Sequence, residues 1–126
     1  MILRHVGLAC SSEENADTFY ADLLGLTKSE PKLLSRELVK AIFNLDSELA
    51  MVNYQNEDIH FEVFITAQII NKTNRIDHTC LEIADLEGFL EKCRRLKVEV
   101  ARIPRGEKML IFIRDFDGNL FELKNV

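Results

Sequence analysis

The strongest constraint on this chain is that it repeats itself. His5-Val6-Gly7-Leu8-Ala9 near the start corresponds to His78-Thr79-Cys80-Leu81-Glu82 past the middle. Phe61-Glu62-Val63 corresponds in the same way to Phe121-Glu122-Leu123 at the end. Each half opens with a His and closes with a Glu, and the matching segments align without gaps. A duplication on this scale means that each half is one supersecondary unit built to the same plan.

The plan is read from hydrophobic periodicity. Ile2–Cys10 is predicted as a buried strand. Ser11 to Glu14 offers a capping box, and Ala16, Phe19, Tyr20, Leu23 and Leu24 follow at helical spacing, stopped by Gly25. Lys28–Ser35, with Pro31, reads as a loop. Glu37–Leu45 alternates, with Val39, Ala41, Phe43 and Leu45 on one face, and reads as a strand. Glu48–Tyr54 is the return strand and Ile59–Ile65 a further one, so the first half reads β-α-β-β-β. Residues 67–75 read as the connection. The second half then runs Ile76–Ile83 (strand), a helix capped by Asp85 with the stripe Leu86, Phe89, Leu90, Cys93 and Leu96, Val98–Ile103 (strand, stopped by Pro104), Lys108–Arg114 and Leu120–Lys124. Asp115-Phe116-Asp117-Gly118-Asn119 supplies strong turn chemistry for the last hairpin, because Gly accepts positive φ and Asx side chains bond their own backbone.

The expected fold class is therefore α+β: two paired βαβββ modules forming a cupped, eight-stranded mixed sheet around a cleft. Its single domain spans 1–126, as module 1 (1–66) and module 2 (76–126). At 126 residues and 47% hydrophobic content the chain is long enough for a core and has a globular composition. A net charge of −5 and the lack of a basic run argue against nucleic acid. No apolar run approaches the roughly 20 residues of a membrane span, and MILRHVGLAC is interrupted too early by Arg4 and His5 for a signal peptide. Three widely spaced cysteines, Cys10, Cys80 and Cys93, fit reduced thiols in the cytoplasm better than disulfides.

Strand parity selects the candidate site. Val6, Leu8, Phe61 and Val63 have the parity to meet the helix of the first module, and Thr79, Leu81, Phe121 and Leu123 that of the second. His5, Glu62, His78 and Glu122 then share the opposite, concave side. Two imidazoles and two carboxylates make an N₂O₂ donor set suited to one borderline divalent ion, Zn, Ni, Co, Mn or Fe. An octahedral shell would keep two positions for neighbouring substrate oxygens. A lone His or Glu on a strand is ordinarily a surface residue; four at repeat-equivalent positions are what single them out. His60 shares the parity of Glu62 but matches Leu120, and reads as a cleft-rim or hydrogen-bonded His. Cys80 matches Gly7 and reads as a small buried filler.

These segments, with Phe19-Tyr20 through Leu23-Leu24-Gly25-Leu26 and Ile113 through Leu123, resemble the vicinal oxygen chelate superfamily. That group includes glyoxalase I, methylmalonyl-CoA epimerase, bleomycin-resistance proteins, fosfomycin-modifying thiol transferases and extradiol dioxygenases. The resemblance implies paired βαβββ modules around one metal, with ligand positions at His5, Glu62, His78 and Glu122, and a homodimer as the common assembly. The four-ligand set implies a lyase or isomerase of glyoxalase I type acting on a small substrate, with Glu62 and Glu122 as the bases that shuttle a proton beside a carbonyl. Ala9 and Thr66 stand where glyoxalase I typically has Arg and Asn to hold glutathione. His78-Thr79-Cys80-Leu81-Glu82-Ile83 is similar to methylmalonyl-CoA epimerase, which makes an epimerase the alternative. A non-enzymatic drug- or metal-binding dimer of the bleomycin-resistance kind is the third reading.

Overall fold

The computed structural model describes residues 1–68 and 76–126. The chain divides into two compact units, Met1–Ile70 and Asn71–Val126. The connection expected over 67–75 falls largely at 69–75, outside the described residues.

The first unit opens with β1 (Val6–Cys10) and α1 (Glu13–Ala16), which continues as a wider π-type turn through Asp17–Leu23. The cap of α1 is Ser12, whose hydroxyl accepts from Asn15 N at 3.1 Å, rather than the expected Ser11. The stripe forms as expected: Ala16, Phe19, Tyr20 and Leu23 are buried. Tyr20 packs its ring 5.4 Å from Tyr54 and 5.5 Å from Phe61, centroid to centroid, and so ties helix to sheet. Each such ring contributes about 2–3 kcal/mol on burial. The Tyr54 hydroxyl donates to Asp17 Oδ1 at 2.7 Å, which spares the core an unsatisfied polar atom. Gly25, at φ 72°, ends the helical segment as its sequence position implies.

Two expectations fail between Gly25 and Leu49. The segment read as a loop contains β2 (Thr27–Lys28) and β3 (Lys32–Leu34), both antiparallel to β4 (Leu49–Gln55). Pro31 has no N–H to give the ladder and divides this edge strand. Ser29 bridges the break, its N–H donating to Asn53 O at 2.9 Å while its hydroxyl accepts from Asn53 N at 3.1 Å. The segment Glu37–Leu45, read as a strand, is instead helix α2 (Arg36–Phe43). Ser35 caps its start by accepting from Leu38 N, and Asn44 ends it in the left-handed region at φ 57°. Leu38, Val39, Ile42 and Phe43 satisfy helical spacing as well as alternate residues satisfy strand spacing. With caps at both ends, helix wins.

The unit closes with β5 (His60–Ile65), giving the sheet order β1-β5-β4-β2, with β3 also on β4. β1 and β5 run parallel, with Gly7 opposite Glu62, and Phe61 and Val63 are buried.

The second unit is the plainer version. β6 (Thr79–Ile83), α3 (Leu86–Arg95), β7 (Val100–Arg105), β8 (Lys108–Arg114) and β9 (Leu120–Asn125) form a sheet of order β6-β9-β8-β7. Asp85 caps α3 as expected, accepting from Gly88 N at 3.0 Å. Cys93 is fully buried, with Leu81, Val98, Ile113, Phe121 and Leu123. Pro104 does not stop β7; it lies within it, opposite Met109. β7 is an edge strand, where a missing N–H costs the ladder little.

The α+β class and the repeated βαβββ plan are those expected. The described residues hold nine strand segments rather than eight, because the second strand of the first unit is broken at Pro31. Among the described residues no helix is long and apolar enough to cross a membrane.

Candidate metal centre

Each unit places its His just before its first strand and its Glu in its last strand, and the parallel pairing of those strands brings the two together. In the first unit His5 Nε2 stands 3.2 Å from Glu62 Oε2. In the second His78 Nε2 stands 3.4 Å from Glu122 Oε2. The carboxylates are the more sheltered partners, at 21% and 16% exposure against 44% and 42% for the imidazoles. The register explains the match: Gly7 lies opposite Glu62 and Cys80 opposite Glu122, so the same parallel ladder sets both pairs.

These separations fit joint coordination. Two donors each about 2.0–2.2 Å from one ion, at about 90–109° to each other, stand about 2.9–3.5 Å apart. Each pair therefore spans one edge of a coordination polyhedron. One edge is too little for a structural or catalytic site, which takes three or four protein donors. Among the described residues no group of three or more His, Cys, Asp or Glu side chains is arranged to hold a metal ion. The four sequence-derived ligands are thus brought together as two half-sites, one per unit.

The surroundings of the half-sites differ. In the first, the His5 and His60 rings meet edge to face at 5.6 Å, and His60 Nε2–H donates to Asn53 Oδ1 at 2.7 Å. Of the two readings of His60, the hydrogen-bonded one is the one present. Asn53 was missed by the sequence reading. The available signal was a polar side chain directly after the apolar run Leu49–Val52, on the residue that pairs with Glu62. In the second half-site Phe112 pairs with Glu122 and sets its ring edge to face with His78 at 6.1 Å. Lys124 Nζ lies 3.9 Å from Glu122 Oε1. Cys80, read as a small buried filler, is instead exposed, because its side chain lies on the sheet face opposite the helix-facing Leu81; desolvation, then the Glu122 carboxylate, pushes its thiol above its ordinary pKa. All three cysteines are free.

The loop that leads into β9 is tied together by the side chain of Asp115. Asp115, 5% exposed, accepts from Asp117 N and Asn119 N at 2.9 Å each and from Asn119 Nδ2 at 2.6 Å. Gly118 takes φ 86°, so the turn delivers Leu120 into β9 and fixes the phase that sends Glu122 to the side of His78.

Repeated βαβββ units of this topology define the glyoxalase-fold class. The sequence matches the Glyoxalase/Bleomycin resistance protein/Dioxygenase superfamily over residues 2–123, and the chain belongs to that family. It is 28% identical over 130 residues to mitochondrial methylmalonyl-CoA epimerase of Mus musculus, covering 97% of this chain and 71% of the relative. Its fold is similar to that of a glyoxalase family protein from Enterococcus faecalis, with a TM-score of 0.73 and 16% identity over 97% of this chain and 95% of the other. It is also similar to the fosfomycin resistance protein FosX of Listeria monocytogenes, in a structure complexed with Mn(II) and 1S,2S-dihydroxypropylphosphonic acid. That match has a TM-score of 0.68 and 19% identity, over 98% of this chain and 90% of the other.

Proposed function

We propose that this chain is a metal-dependent enzyme that moves a proton at a carbon beside a carbonyl, on a small substrate with vicinal oxygens. The observation that carries the reading is the duplicated His–Glu pair, at 3.2 and 3.4 Å, on one ladder register in both units. His5, Glu62, His78 and Glu122 would hold one divalent ion of the Zn, Ni, Co, Mn or Fe kind, which supplies Lewis-acid stabilisation of negative charge developing on the carbonyl oxygen. Support for a divalent ion also comes from the FosX relative that was crystallised with Mn(II).

The chain's own part is proton transfer. Glu62 and Glu122 are the bases: one carboxylate removes the proton from the carbon and the other, protonated, returns one. Two carboxylates on opposite faces of a planar enolate suffice to invert a stereocentre, since one removes the proton and the other returns one. Partial burial of both carboxylates limits competing water. General acid–base catalysis of this kind contributes about 10²–10⁴-fold.

Between the two proton-transfer readings, the epimerase is favoured by the mouse relative and by Ala9 and Thr66, which lack the Arg and Asn donors for glutathione. The expected setting is a cytoplasmic homodimer. The test is solvent deuterium exchange by metal-replete protein. Label should enter the carbon between the carbonyls of methylmalonyl-CoA, and Glu62→Gln and Glu122→Gln should each slow exchange by two orders of magnitude or more. Turnover of the methylglyoxal–glutathione hemithioacetal instead would assign the lyase reading. Exchange of neither substrate would place the chain with the non-enzymatic binders.

A further inference from the structure

The edge of the second unit's sheet borders a groove. β7 is the last strand of the order β6-β9-β8-β7, so among the described residues it is paired on its β8 side alone. Between β7 and α3 runs a groove of about 460 Å³, with Leu90, Val98 and Val100 along it. Val98 is buried. Val100 pairs with the core residue Ile113, whereas Glu122 pairs with Phe112, so the groove lies on the sheet face away from Glu122.

The phase of the ladder fixes which backbone groups the edge leaves open. Arg105 and Lys108 pair across the two-residue turn Gly106-Glu107. At the far end of β8, Asp115 N–H donates to Asn119 O at 3.1 Å. Counted in alternate residues from either point, Ala101, Ile103 and Arg105 direct their N–H and C=O groups to β8. Val100, Arg102 and Pro104 direct theirs outward. Pro104 has no N–H, and Val98 donates its own to Cys93 O at 2.9 Å. The positions open as both donor and acceptor are therefore Val100 and Arg102, and both side chains border the groove.

An added strand matches such an edge. Running antiparallel, it would exchange two hydrogen bonds with Val100 and two with Arg102. The residues opposite these two would turn into the groove, and the one between would face away. The residue opposite Val100 meets Leu90, Val98 and Val100, which an aliphatic side chain suits. The residue opposite Arg102 stands about 5 Å from it, Cβ to Cβ. On the helix wall Glu91 and Arg94 neutralise each other through hydrogen bonds of 2.6 and 2.9 Å. Glu87 is also on that wall, whereas Arg102 is on the strand itself, beside the added residue, and favours an acidic one.

We infer that the groove between α3 and β7 binds an extended peptide of the order acidic–any–aliphatic, added antiparallel to β7. The inference is independent of the metal centre and of the activity proposed above. A second copy of this chain matches the edge less well. Pairing two β7 strands about Ala101 sets Arg102 against Val100, and pairing them about Arg102 sets like charges against each other.

The test follows the backbone amides of the ¹⁵N-labelled full chain by NMR during titration with acetyl-Gly-Glu-Thr-Val-Gly-amide. Two further peptides replace its Glu by Lys or its Val by Gly. Saturable shifts are expected, largest at the amides of Val100 and Arg102, which gain acceptors, and smaller at Ala101 and Ile103, which already bond β8. The Lys peptide should bind about fivefold more weakly, and the Gly peptide about tenfold more weakly. Arg102→Glu, at an exposed position, should reverse the order of the Glu and Lys peptides. Shifts that do not saturate, or that centre elsewhere, overturn the inference. Equal binding of the three peptides by the wild type overturns it, and so does an unreversed order in Arg102→Glu. Shifts at Val100 and Arg102 that grow with protein concentration before peptide is added show that a second copy takes the edge, and overturn it too.

Discussion

His5 and Glu62 lie far apart in sequence, yet their Nε2 and Oε2 atoms stand 3.2 Å apart because β1 and β5 pair in parallel. The second unit reproduces the relationship through β6 and β9. If both pairs serve one ion, as proposed, metal binding stabilises the folded protein over the unfolded chain. Divalent metal at a hundredfold excess over its dissociation constant adds about 2.7 kcal/mol. Melting with and without Zn(II) or Mn(II) should show a rise of several degrees in the wild type, and little or none in His5→Ala or His78→Ala. The metal-free melts of all three should coincide closely, since both imidazoles are more than two-fifths exposed.

Asp115 is the structural carboxylate of the second unit. It is buried and accepts three hydrogen bonds from Asp117 and Asn119. Asp115→Ala leaves three donors to find other partners and should cost about 2–4 kcal/mol in urea unfolding. Asp115→Asn, which keeps one acceptor oxygen, should cost less. Equal losses in the two variants would contradict this role.

Cys93 links stability to alkaline pH. It is fully buried, and burial pushes its thiol from the ordinary 9.0 up to about 11. The unfolded chain therefore loses this proton first as pH rises. The stabilising contribution is complete below pH 9 and is lost between about pH 9 and pH 11, amounting to roughly 1–3 kcal/mol. Lysines and tyrosines titrate in the same window, so the check is the difference between wild type and Cys93→Ala. The wild-type advantage at pH 8 should shrink steadily above pH 9; a constant advantage would contradict the linkage.

Asp85 tests the capping of α3. Its carboxylate accepts from Gly88 N at 3.0 Å at the first turn. Asp85→Ala should lower stability by about 1 kcal/mol, and Asp85→Ser should restore most of it. Denaturant midpoints of the two variants decide the point.

What the sequence revealed follows from how far each signal is determined locally. The repeat, the helical stripe at Ala16–Leu23 and the Asp115–Asn119 turn are local patterns, and each is present as read. The His–Glu pairs were legible because strand parity fixes which side chains share a face, and the duplication picked those four from other polar residues. Helix α2 was not legible from alternation alone, since its apolar residues satisfy both periods. The caps at Ser35 and Asn44 were the deciding marks. β2 and β3 were hidden because their pairing partner, β4, is remote in sequence and Pro31 masks their continuity. Pro104 misled because a proline ends a strand only where its N–H is needed, and an edge does not need it. Asn53 and His60 become a pair only once β4 and β5 are in register.

The most direct measurement is the metal content of protein purified without chelators, compared with its single-histidine variants by elemental analysis. A centre shared by the two half-sites requires close to one first-row divalent ion per chain in the wild type, and marked loss in both His5→Ala and His78→Ala. Wild-type protein that binds no such ion even when it is supplied, or variants that keep full occupancy, would contradict it.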